Sequence, residues 1–142
     1  MSQMTSRMSP MSLSQVTAKL SVYAQASFMK AGMSLMAVLI EIWLRDEQLF
    51  KSLGSVGVDP AVGQGAVNLA WLARRIQRID FGYKLTGVGR SGQIQILGSP
   101  ETGDRASNVI VDTIDFDGVE VDDVRAMLAR LHFGKEVRCT AI

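Results

Sequence analysis

Residues 31–44 read AGMSLMAVLIEIWL. Lys30 and Glu41 bracket ten uncharged residues in this region, whereas a membrane-spanning helix needs about 20. No transmembrane span is therefore expected. Placed on a helix, Ser27, Lys30, Ser34, Glu41 and Arg45 share one narrow seam. Nearly every other position from 28 to 44 is apolar, including Phe28, Met29, Met33, Leu35, Met36, Val38, Leu39 and Ile40. A surface helix would carry a broad polar face, so this one must be covered on most sides.

Two coverings are open. The helix sits at the centre of a compact fold and breaks near Gly32, or neighbouring copies of the chain or a partner bury it. A lipid-lying segment is a third reading. For self-association, the residues singled out are Met29, Met33, Met36, Leu39, Ile40 and Trp43. Methionine adapts its shape readily at binding surfaces, although it also fills ordinary cores. The surrounding pattern, residues 15–53, is low in glycine and free of proline. Unbroken, it would be about 58 Å long. A compact chain of this size has a radius of gyration of only about 14–15 Å.

Outward from this helix the composition changes. Residues 54–65 (GSVGVDPAVGQG) read as a linker, and 66–80 (AVNLAWLARRIQRID) as a second helix. Gly82 to Gly92 holds four glycines and reads as loop. Residues 93–97 and 108–116 are β-branched and partly alternating, which suggests a β-hairpin. Residues 120–133 read as a C-terminal helix, with Asp122 and Asp123 in its first turn and Gly134 as its stop. A short terminal strand over 136–140 is a further expectation. The expected fold is α+β: a long N-terminal helix and a second helix, then a β-hairpin and a C-terminal helix. Residues 1–14 read as a flexible head. Residues 15–142 read as one domain, helical over 15–80 and mixed over 93–142.

The chain has 142 residues, is 47% hydrophobic and carries a net charge of +1. Such a composition argues against a mainly disordered chain. Cys139 is the only cysteine, which excludes a disulfide scaffold. The head has one cation, Arg7, and no apolar stretch directly after it, unlike a Sec signal peptide. The expected location is the cytoplasm, or a secreted or virion assembly reached by another route. Ten arginines against five lysines suggest a bacterial or phage source with a GC-rich genome.

Trp71, Arg74, Arg75 and Arg78 fall at i, i+3, i+4 and i+7, on one face of the second helix. Guanidinium groups beside an indole suit phosphates, bases or carboxylates. A solvated face paired with acids is the plainer account, and no known nucleic-acid motif accompanies the stripe. Charge is also uneven along the chain: residues 1–84 sum to +4 and residues 85–142 to −3. A basic front and an acidic back favour head-to-tail contact between copies, which yields rings or filaments.

Three motifs that look chemical fall short. Gly87-Val88-Gly89-Arg90-Ser91-Gly92 fits GxGxxG, but a strand rather than a helix follows it. Asp115-Phe116-Asp117-Gly118 matches part of a calcium loop, yet position one would be Thr113 and position twelve Val124. A solvated turn that caps the C-terminal helix explains it more simply. His132 and Cys139 stand seven apart, without a third group to orient them. No catalytic residue, metal ligand set or cofactor is indicated. The expectation is a non-enzymatic structural subunit that self-associates into a homo-oligomer, ring or filament. The alternatives are a protein-binding adaptor, or a polyanion or nucleic-acid binder using the Arg/Trp face.

Overall fold

A computed structural model describes residues 10–24, 32–99 and 109–137. The chain divides into two compact units, Met1–Gln77 and Arg78–Ile142. Their boundary lies where the helical part of the sequence gives way to the mixed part.

The first unit is helical. Helix α1 spans Leu13–Ala24. Ser12 and Gln15 start it with a reciprocal capping box. The Gln15 N–H donates to Ser12 Oγ at 3.2 Å, and the Ser12 N–H donates to Gln15 Oε1 at 2.8 Å. Residues 1–9 of the expected head lie outside the described residues.

The stretch 15–53 is helical in pieces. Gly32 has φ of +75°, a conformation that costs glycine little. Helix α2 then runs Leu35–Arg45, and Ser34 caps it by accepting the Ala37 N–H at 3.2 Å. A second break, at Asp46, departs from the expected continuous pattern. Asp46 has φ −155° and ψ 83°, outside the helical region. Its Oδ1 accepts the Leu49 N–H at 3.1 Å, and its Oδ2 receives Lys19 Nζ from α1. Helix α3, Glu47–Ser55, starts from that cap.

The expected linker is more ordered than its glycines suggest. Gly54 lies buried inside α3. Pro60–Val62 form a 3-10 turn, capped by Asp59. Helix α4 covers Gln64–Gln77. It packs against α3 and α2, and α1 packs against α3. The core of this unit holds Val16, Leu20, Met36, Leu39, Ile42, Leu49, Phe50, Leu53, Leu69, Ala73 and Ile76. Gln77 Nε2 ties α4 to α3 by donating to the Phe50 carbonyl at 2.8 Å.

The second unit is a three-stranded antiparallel sheet with one helix. Its strands are β1 (Tyr83–Val88), β2 (Ser91–Leu97) and β3 (Ile110–Asp117), in that spatial order. The expected hairpin is the β2–β3 pair. The reading of Gly82–Gly92 as loop is corrected: most of it is β1 and its turn. Gly89 and Arg90 make a two-residue connection, with Gly89 at φ +63° in the first central position. This is the glycine placement that a II′ hairpin turn requires.

Tyr83, Leu85, Ile94, Ile96, Ile114 and Phe116 form the buried face of the sheet. Lys84, Thr86, Gln93, Gln95, Thr113 and Asp115 alternate onto the other face. Helix α5, Val121–Leu131, lies against β1 and buries Val121, Val124, Met127 and Leu128. Of the expected terminal strand, Glu136 makes a single parallel bridge to Tyr83. Arg125 on α5 holds Glu136 by a charged hydrogen bond. Residues 138–142 lie outside the described residues.

The acidic turn before α5 is not a side-chain cap, as the sequence suggested. Glu120 takes the cap position and makes no side-chain cap bond. The hairpin turn supplies the partners instead. The Val121 N–H donates to the Gly89 carbonyl, and the Gly118 N–H to the Arg90 carbonyl, each at 2.9 Å. Arg90 Nη2 returns a bond to the Gly118 carbonyl at 2.7 Å. The GxGxxG segment and the Asp-Phe-Asp-Gly turn thus brace each other and start the helix.

Candidate functional site

The residues singled out for self-association separate in the structure. Met36, Leu39 and Ile40 are buried within the first unit. Met33 and Trp43 are half-buried, and Met29 lies outside the described residues. The covering of α2 comes largely from this chain's own α3 and α4. Met33, with Leu20, Val38, Val62 and Leu69, lines an apolar groove of about 340 Å³. Among the described residues, no charged side chain lines that groove.

The Arg/Trp residues separate as well. Trp71 is 57% exposed, and Arg74 is exposed beside it. Arg75 is half-buried and engaged in another interaction. Arg78 follows the last residue of α4 and belongs to the second unit. Trp71 and Arg74 share a pocket of about 230 Å³ with Leu53, Val58, Pro60 and Val67. The pocket forms because α3 ends at Ser55 and the chain returns through the Pro60 turn to α4. Among the described residues, no carboxylate pairs with Arg74.

A third feature was not singled out from the sequence. Val109, Ile110 and Val111 are 52%, 44% and 62% exposed at the start of β3, an edge strand of the sheet. The register between β2 and β3 shifts between Ile96 and Leu97, so Ile110 lies opposite Leu97 and Asp112 opposite Ile96. The extra residue, Val111, is a bulge that breaks the in-and-out alternation. The signal for it is a run of three β-branched residues, but periodicity marks the stretch only as strand and does not say which of its residues stay exposed.

Burial, followed by the nearby Glu136 carboxylate, pushes the Tyr83 hydroxyl above its ordinary pKa. The hydrogen bond to Asp46 raises Lys19. Among the described residues, no group of three His, Cys, Asp or Glu side chains could hold a metal ion. His132 ends α5, whereas Cys139 lies outside the described residues. No helix among them is long and apolar enough to cross a membrane. Compared with known proteins, the chain matches no family model, no curated protein and no solved structure.

Proposed function

We propose that this chain is a non-enzymatic structural subunit that self-associates into a homo-oligomer, ring or filament. The observation that carries the reading is the exposed aliphatic run Val109-Ile110-Val111 at the start of β3, which is an edge strand among the described residues. Native sheets usually blunt such a place with charge, proline, a bulge or cover. Here a bulge at Val111 is present, yet the three adjacent β-branched side chains stay 44–62% exposed. Burying their exposed portions against a second copy would contribute about 1 kcal/mol each. The contact surface moves from α2, whose central residues are occupied by the first unit's own core, to β3.

Charge supports a head-to-tail arrangement. Residues 1–77 carry seven Lys or Arg against four Asp or Glu, a net +3. Residues 78–142 carry eight against ten, a net −2. Unlike surfaces that meet heterologously give rings when the rotation closes and filaments when it does not. Negative-stain imaging across protein concentrations tests this. Rings or filaments that appear as concentration rises support the reading, and uniformly small single particles at all concentrations contradict it.

A further inference from the structure

We propose that the pocket between the end of α3, the Pro60 turn and α4 binds a small aromatic carboxylate, with its ring on Trp71 and its carboxylate on Arg74. The proposal does not depend on the assembly reading. Leu53, Val58, Pro60 and Val67 give the pocket an apolar wall, and its volume is about 230 Å³. An apolar cavity of about 150 Å³ holds a benzene ring. A phenyl or indole group fits the space, and a polar substituent remains at the mouth. Trp71 supplies an exposed indole on which a flat ring stacks at offset.

The charge at the site selects the substituent. Arg74 lines the pocket and has no acidic partner among the described residues. Its planar fork matches a carboxylate with two parallel N–H bonds. Among the described residues, Arg74 is the only cation lining the pocket, and Arg75 is half-buried and otherwise engaged. One free guanidinium beside an apolar wall fits a monoanion carrying a ring better than a phosphate polymer, whose binding rests on many cations.

Isothermal titration of the full chain with 3-phenylpropionate tests the site, with the neutral 3-phenylpropionamide as comparator. We expect saturable binding of the acid below about 1 mM. We expect the amide to bind at least tenfold more weakly. Arg74→Gln and Trp71→Ala should each weaken the acid at least tenfold, and Arg74→Lys should weaken it less than Arg74→Gln. Both side chains are exposed, so the variants should keep the wild-type melting temperature. Absence of saturation, equal binding of acid and amide, or an Arg74→Gln variant with unchanged affinity would overturn the proposal.

Discussion

The ring of Phe116 on β3 lies over Gly92 on β2, its directly paired neighbour. A methyl group on Gly92 would stand 2.6 Å from Phe116 Cζ and closer still to the Thr86 carbonyl oxygen. Gly87, opposite Gly92 on β1, is also crowded: a methyl there would meet the Gly92 α-carbon at 2.6 Å. Two glycines of the GxGxxG pattern therefore make room for an aromatic ring and for close strands. The third, Gly89, makes the turn.

Gly92→Ala should destabilise the second unit by about 2–3 kcal/mol, because the ring and a backbone carbonyl must both yield. Gly89→Ala should cost only about 1 kcal/mol, since the space there is open and only the left-handed backbone is strained. Urea denaturation checks the order. A milder effect at Gly92 than at Gly89 would contradict the packing argument.

Asp46 gives a second prediction. Its carboxylate caps α3 through Leu49 and receives Lys19 from α1. Asp46→Ala should lower stability by about 1 kcal/mol, the ordinary cost of a lost cap. Asp46→Asn keeps a capping oxygen and loses only a half-exposed ion pair, so its cost should be smaller. Equal losses in the two variants would mean that the cap does not matter.

Tyr83 predicts a pH dependence. Its hydroxyl is raised in the folded chain, chiefly by burial. The unfolded chain therefore ionises first as pH rises. The stability tied to the neutral ring is whole below about pH 10 and declines above it. Urea midpoints at pH 8 and pH 10.5 should differ more in the wild type than in Tyr83→Phe. Identical pH responses would argue against a buried neutral tyrosine.

Much of the architecture is legible in the residues. The α+β class, the β2–β3 hairpin and the C-terminal helix follow from periodicity, with Asp122, Asp123 and Gly134 marking the helix ends. Strand β1 is not, because Gly87 and Gly92 carry a loop signal in local terms and a close-packing role only when paired across strands. The break at Asp46 was legible in principle, since an aspartate three residues before Leu49 is an ordinary N-cap. The continuous apolar pattern around it masks the signal. Nor can a helix that is apolar almost all round name its own cover. Met36, Leu39 and Ile40 look the same whether α3 and α4 bury them or a second copy does. The Trp71–Arg74 pocket depends on where the chain returns at Pro60, which no helical spacing encodes.

The contact surface proposed for assembly differs in kind from the buried helix. Leu39→Asp would place an unpaired charge in the first unit's core and should unfold it, whatever the oligomeric state. It therefore does not report on association. Val111→Lys does, because Val111 is already 62% exposed and a lysine there is the device that edge strands use to stay apart.

Light scattering of wild type and Val111→Lys across micromolar to millimolar concentration is the most direct measurement. The account predicts a wild-type mass that rises above 15.5 kDa with concentration, and a folded variant that stays monomeric or associates at least tenfold more weakly. A wild type that remains monomeric throughout, or a variant that assembles as the wild type does, would contradict it.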